Sequence, residues 1–336
     1  MKKRCKLNIN LLVLLIGCLI ECGRNAKYKA KDFAYRLIES ALENQSLEAK
    51  YQLTNYLSAD RMLEKLHEIK YEQIQNLITK VNKNIRLPKR VNLAIDFTEK
   101  LFYGCKKLID VIGTKDGNYA RRFIEISTVK PALFINAFPV NMLTNNKTRL
   151  IAQLIDGFKV MYKRTKIDLL LLDRGFFTKA VVKYLVENKI RFIMPAVKNR
   201  EIKFMVEGCM NTKKSIILDY KFGETKVFLV FVKIDGEVLV YMTNTKFNPL
   251  KVHLLYKKRW QIETNFREQN KFEFKTQTLD FNARYFAFAL AGLLFNLWQL
   301  MRNGKIQSYL FKQALMSELK SLGCRIIRLK DYEPVA

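Results

Sequence analysis

The segment IDLLLLDRGFF, residues 167–177, sets the first constraint on this chain. Four leucines in succession leave no polar face, so a strand here must be covered on both sides, as strands are in a parallel sheet flanked by helices. Thr178 then stands where a helix N-cap is wanted, with Val181, Val182 and Leu185 on one face, and IRFIMPAV supplies the next strand. Strand, helix and strand in that order argue for an α/β fold.

Upstream the same order can be extended. VNLAIDFT, KKLIDVIG and ARRFIEISTV are three strand-like segments broken by Gly104 and by Asp116-Gly117, which predicts an antiparallel meander. Asn145 or Asn146 caps a helix whose apolar positions Leu150, Ile151, Leu154, Ile155, Phe158 and Met161 repeat at helical spacing. Residues 89–200 thus read as the first part of a core, residues 201–247 as a β-rich insertion, and residues 248–303 as the closing part of the core. The insertion rests on the period-two segments SIILDYKF, TKVFLVFVKI and EVLVYMTN, with Asp235-Gly236 as a hairpin turn. Residues 1–88 read as an N-terminal helical region, with Phe33, Leu37, Ile38, Ala41 and Leu42 on one helix face and Ser58 capping a helix through Met62, Leu63 and Leu66. Residues 304–336 form a C-terminal tail.

Three acids sit in segments suited to hold them: Asp96 in VNLAIDFT, Asp173 in IDLLLLDRGFF and Glu263 in YKKRWQIETNFRE. Each has an ordinary alternative, as a turn cap, a loop start or a solvated helix residue paired with Arg259 or Arg267. Taken jointly they suit a site for two divalent ions, which activate a water on one side of a phosphodiester and stabilise the departing oxygen on the other. The chain has only two histidines, and its six cysteines are scattered, without any Cys-x-x-Cys pair. Oxygen ligands are then the means of holding metal, which favours magnesium or manganese. Tyr256, Arg259, Glu263, Arg267 and Asn270 follow a spacing that would place them on one face of one helix, alongside Trp260. Arginine and aromatic groups around an acid suit a phosphate backbone and unstacked bases.

Sixty Lys and Arg against 31 Asp and Glu give a net charge of +29, which calls for a polyanionic partner, either nucleic acid or an anionic membrane surface. The N-terminus leaves both open. Lys2, Lys3 and Arg4 precede LNINLLVLLIGCLI, and Leu15-Ile16-Gly17-Cys18 resembles a lipoprotein cleavage box, so a basic membrane-anchored lipoprotein is one alternative. The run from Leu7 to Ile20 is short for a bilayer span, and a core helix is favoured over a signal peptide because the rest of the chain suits nucleic acid in the cytoplasm. NARYFAFALAGLLFNLWQLMR is the other apolar stretch, and Asn296 and Gln299 favour its burial in protein. A membrane role is the lesser expectation, and a cytoplasmic location the greater.

At these residues the chain resembles the DDE insertion-sequence transposases that carry a Tyr-x2-Arg-x3-Glu signature, matched by Tyr256, Arg259 and Glu263. Asp96-Phe97-Thr98 matches that family's first Asp signature and Asp173-Arg174-Gly175 its second. Where the family often has Lys seven positions after Glu, this chain has Asn270, with Lys271 next to it. The resemblance implies a ribonuclease H-like core interrupted by a β-rich insertion, with Asp96, Asp173 and Glu263 as catalytic and metal-holding residues for two magnesium or manganese ions. Tyr256, Arg259, Trp260, Arg267 and Lys271 would contact DNA. The partners implied are double-stranded DNA, as terminal inverted repeats and as target, and a second copy of the chain on that DNA. An inactive or repurposed copy that binds DNA without cutting it is a further alternative.

Overall fold

In a computed structural model of the chain, residues 8–48, 57–104, 108–114, 116–141, 143–210, 215–301 and 306–322 are described. They divide into a helical unit, Met1–Arg86 with Asn265–Ala336, and a sheet unit, Leu87–Thr264.

The sheet unit contains β1 (Arg90–Leu101), β2 (Val111–Gly113), β3 (Tyr119–Thr128), β4 (Leu133–Val140), β5 (Lys166–Leu172), β6 (Phe192–Pro195), β7 (Ile216–Phe222), β8 (Thr225–Ile234) and β9 (Glu237–Thr243). The path across the sheet is β2-β3-β1-β5-β6-β9-β8-β7, with β4 also paired to β3. Antiparallel β4, β3 and β1 are followed by parallel β5 and β6, and this is the ribonuclease H-like arrangement. In the helical unit the order of elements is different, and no strand occurs among its described residues.

Two local expectations are corrected in the meander. Among the described residues of KKLIDVIG, only Val111–Gly113 join the sheet, because Asp110 just ahead of them turns inward to a buried ion pair with Arg121 of β3. The third long strand is instead LFINAFPV, which becomes β4. Its Pro139 obscured it, since proline cannot donate to a ladder, yet β4 pairs with β3 alone and so tolerates that loss on its other side.

Helices α5 (Lys147–Met161) and α6 (Lys179–Glu187) link β4 to β5 and β5 to β6. Asn146 and Thr178 cap them, accepting from Arg149 N at 3.0 Å and Val181 N at 3.3 Å, and all six expected apolar positions of α5 are buried. Between β6 and β7 the segment expected to be β-rich starts with a helix, α7 (Arg200–Met210), and only then yields the three strands. Those strands continue the main sheet, because β9 pairs antiparallel with β6 through Ile193 and Thr243. Asp235 and Gly236 turn β8 into β9 with φ of 49° and 82°, the positive pair that a tight hairpin requires. Helix α8 (Pro249–Lys257) follows, and α9 (Trp260–Gln269) crosses the division between the units.

The helical unit holds α1 (Ile9–Gly17), α2 (Ala30–Glu43), α3 (Ala59–His67), α4 (Tyr71–Asn82), α10 (Phe281–Met301) and α11 (Ser308–Ser321). Helix α10 is its axis, buried from Tyr285 to Trp298 and packed on α2, α3 and α4. Asn296 is accommodated there by donating to Asn82 Oδ1 at 2.9 Å, a pairing that lifts the cost of a polar group in the core. Glu48 joins the two stretches of the unit by accepting from Thr276 Oγ1 and Gln277 N, both at 2.7 Å. Ser58 caps α3 as expected, accepting from Arg61 N at 3.3 Å. Helix α1 buries Ile9, Leu12, Val13 and Ile16 and packs on α2. Among the described residues no helix is long and apolar enough to cross a membrane.

Leu12 is fully buried whereas Leu14 on the same helix is 66% exposed. Leu12→Ala should therefore cost about 2–5 kcal/mol in urea unfolding, and Leu14→Ala under about 0.5 kcal/mol. Equal effects would mean that α1 does not pack by this face.

Candidate active site

The pairing of β1 with β5 decides where the first two acids stand. Their parallel ladder ends with Ile95 beside Leu172, so Asp96 and Asp173 are the next residue on each strand. Ile95 and Leu172 are fully buried, which anchors both strands up to that point. Beyond it the strands diverge in role: β1 runs on against β3, while β5 stops. Asp173 keeps extended backbone (φ −76°, ψ 163°) and caps a short 3-10 turn, Arg174–Phe176, by accepting from Gly175 N at 3.3 Å. Phe97, on the opposite face of β1 from Asp96, stacks on Phe176 with ring centroids 4.9 Å apart and planes within 9°. This stack ties the turn after Asp173 to the strand carrying Asp96.

The third acid arrives from α9. Tyr256 to Glu263 was expected on one continuous helix, and the structure corrects this: α8 ends at Lys257 and α9 begins at Trp260. Across the break the backbone bonds shorten to three-residue steps, with Arg259 N donating to Tyr256 O at 2.8 Å and Ile262 N to Arg259 O at 2.9 Å. The tighter winding accompanies a tertiary demand on Arg259. Its guanidinium donates through Nη1 to Asp96 Oδ2 at 2.5 Å and through Nη2 to Glu263 Oε1 at 2.6 Å. Arg259 is 7% exposed, so a buried cation spans the first and third acids. A charge so buried is tolerated because both partners are ionisable oxygens with good geometry.

The electrostatics follow from that crowding. Burial pushes the Asp96 carboxyl up to about 6, and the charges of Asp173 and Glu263 push in the same direction, while Arg259 and the Phe97 backbone N–H oppose them. One guanidinium does not offset three carboxylates in a partly dry site. The Tyr256 phenol is pushed well above its ordinary range, first by burial and then by the charges of Asp173 and Asp96, so it remains a proton donor. Its ring lies under the Arg259 guanidinium at 5.7 Å and beside Tyr241 at 5.1 Å. Asp96, Asp173, Glu263, Arg259 and Tyr256 therefore act on one another as a single cluster within the sheet unit.

The donor set of that cluster is all oxygen, as a hard divalent cation requires, and its acids carry more negative charge than Arg259 alone offsets. Among the described residues no three acidic, His or Cys side chains are already at mutual metal-binding distance. Arg259 holds one oxygen each of Asp96 and Glu263, so in this structure those two oxygens are committed to the guanidinium.

The remaining expected DNA contacts are distributed differently. Trp260 is 63% exposed at the start of α9, one turn before Glu263. Arg267 is exposed farther along the helix, in the portion assigned to the helical unit. Lys271 lies in a 3-10 turn, Asn270–Phe272, beyond the end of α9, and pairs with Glu268 at 2.8 Å. Asn270 and Lys271 are thus off the helix on which their spacing had set them.

Two contributors were not anticipated. Lys147, the first residue of α5, donates to Gly175 O at 2.7 Å and so pins the loop after Asp173. Tyr241 of β9 shares a hydrogen bond of 2.9 Å with His253 Nδ1 and props the ring of Tyr256. Neither carries a sequence signal, since a helix-start lysine and a strand tyrosine are ordinary.

Residues 116–297, more than half of the chain, match the family model described as the transposase DDE domain. The chain belongs to that family. Asp173 and Glu263 fall inside the matched residues, and Asp96 precedes them. No curated protein sequence gives a significant match. Among solved structures, the fold is similar to piggyBac transposase in a cryo-EM synaptic complex with hairpin DNA, with a TM-score of 0.61 at 13% identity, over 97% of this chain and 84% of that one. Membership of the DDE transposase family accords with the two aspartates emerging at neighbouring strand ends.

If Arg259 occupies part of the cation position, removing it should strengthen metal binding. Arg259→Ala should bind Mn(II) about tenfold more tightly than the unaltered protein in calorimetric titration, a difference of about 1.4 kcal/mol. Weaker binding by the variant would show that Arg259 supports the site instead of competing for it.

Proposed function

We propose that this chain is a DNA transposase that cuts the ends of its own insertion sequence and joins them to target DNA, with Asp96, Asp173 and Glu263 as its catalytic acids. The observation that carries the reading is the register of β1 on β5, which sets two aspartates side by side and within the electrostatic reach of a glutamate. Membership of the transposase DDE family supports it independently.

The acids would hold magnesium or manganese, two ions in the full site, and bound metal supplies an activated water and stabilises the departing oxygen of the phosphodiester. Asp173 enters from a turn held by Lys147, and Asp96 from a strand locked on both sides, so neither carboxylate has to search for its position. Arg259, freed from Asp96 and Glu263, would grip a phosphate oxygen near the cut through two N–H groups. Tyr256 stays protonated at neutral pH and would donate to another phosphate oxygen. Trp260 offers an exposed aromatic face to an unstacked base one turn from Glu263. Arg267 and Lys271 would bind the DNA backbone.

Water attack breaks the phosphodiester at each element end and leaves a 3′-hydroxyl, and that hydroxyl attacks a target phosphodiester, which exchanges one P–O bond for another. Two ends must be processed, and a homodimer on DNA, acting in the cytoplasm, meets this need. The neighbour of similar fold is itself a transposase in a synaptic complex with hairpin DNA.

Asp96→Asn, Asp173→Asn and Glu263→Gln should each lower magnesium-dependent cleavage of the element's end DNA by at least about 10³-fold, or about 4 kcal/mol, with end binding within about threefold of the unaltered chain. Cleavage persisting in all three variants would reject the assignment. An unaltered chain that binds the ends tightly and never cuts them would instead mark a copy repurposed for binding.

A further inference from the structure

The end of the sheet farthest from the acids carries a concentration of positive charge that the cutting site does not use. Strands β1, β5 and β6 are parallel neighbours, so their first residues come together at one end. Lys89 and Arg90 lead into β1, Lys163, Arg164 and Lys166 into β5, and Lys189 into β6, and all six are exposed. The register brings them level: Arg90 stands opposite Lys166, Lys166 N donates to Lys89 O at 2.8 Å, and Leu170 N donates to Arg191 O at 2.8 Å. Across residues 87–90, 162–168 and 187–191, seven of sixteen positions are Lys or Arg, against 60 of 336 in the chain. The basic character of this end therefore exceeds what overall composition supplies.

The acids there are already engaged. Asp168 pairs with Arg191 and lies 3.8 Å from Arg90, and Glu187 lies 3.8 Å from Lys183. Lys189 holds a left-handed backbone with φ of 55° at the end of α6, where glycine or asparagine is the easier residue. A lysine kept at that position accepts local strain and projects a cation from the strand-leading turn.

We infer that this end of the sheet binds the phosphate backbone of duplex DNA away from the scissile phosphate, an assignment that rests on the transposase reading above. Strands sit about 4.8 Å apart, so the cations of three strand ends form a row roughly 10 Å across, a width that meets successive phosphates of a duplex. From Arg90 to Asp96 the strand advances six residues, roughly 20 Å at about 3.3 Å per residue. DNA gripped here is thus a separate stretch from the one held at the carboxylates, which suits either target DNA or the interior of the element.

Binding of a 30-base-pair duplex lacking the element's ends, followed by fluorescence anisotropy across a KCl series, tests this directly. The joint variant Lys163→Ala, Arg164→Ala, Lys166→Ala, Lys189→Ala should reduce the slope of log affinity against log salt by about 3.6, since each of the four phosphate contacts contributes about 0.9. Lys163→Gln and Lys189→Gln singly, which leave the fold's buried groups untouched, should each reduce it by about one. A control of equal charge change, Arg200→Ala, Lys203→Ala, Lys221→Ala, Lys226→Ala, should alter the slope by less than half as much. An unchanged slope in the joint and single variants, an equal loss in the control, or retention of anionic phospholipid vesicles in place of duplex would each overturn the inference. Failure of the unaltered chain to bind any duplex would sink the transposase reading itself, whereas normal binding and cleavage with an unchanged slope would remove only this surface.

Discussion

The register of two parallel strands carries most of what this molecule does. β1 and β5 share a ladder that closes at Ile95 and Leu172, and the buried side chains of Leu93, Ile95 and Leu170 to Leu172 hold that alignment. Each such side chain contributes about 1.5–3 kcal/mol by leaving water, so a slip of the register is costly. It would also be destructive: a one-residue shift sends every side chain on the strand to the other face. Asp96 and Asp173 are neighbours because the hydrophobic residues ahead of them permit no other alignment.

That placement is itself unfavourable, and the fold compensates in a particular way. Asp96 is 15% exposed at its side chain and faces two other carboxylates, so its proton is held up to about pH 6. Arg259 relieves part of the repulsion by spanning Asp96 and Glu263, at the cost of an interrupted helix between Lys257 and Trp260. The site thus stores unfavourable charge that a divalent cation can relieve, a common exchange of stability for function. Lys147 of α5 pins the turn after Asp173, and Tyr241 of β9 props the ring of Tyr256.

Much of this was legible in the sequence for a simple reason: periodicity and capping are local. The leucine run of β5, the period-two strands of β8 and β9 and the caps Ser58, Asn146 and Thr178 each declare themselves within a few residues. The three acids were legible as candidates because each follows or punctuates such a pattern. What escaped is what tertiary contacts decide. β4 contains Pro139 and is a strand only because β3 offers it an edge. Val111 to Gly113 is short because Asp110 is spent on Arg121. The helix break at Lys258-Arg259 accompanies a pairing with the Asp96 carboxylate far away in the chain, and Asn270 and Lys271 leave the expected helical face because α9 ends at Gln269. Sequence spacing offered the local pair of Arg259 with Glu263, which is present, but it holds no information on the Asp96 contact that the same guanidinium makes.

The central claim is that Asp96, Asp173 and Glu263 together form one site for divalent metal. Iron-directed cleavage addresses it without reference to DNA: Fe(II) bound in place of magnesium, with ascorbate and peroxide, generates radicals that cut the nearest backbone, and mass spectrometry locates the cuts. The account predicts cuts clustered around residues 96, 173 and 263, suppressed by excess magnesium. Iron that binds and cuts elsewhere, with none of these three segments affected, would contradict it.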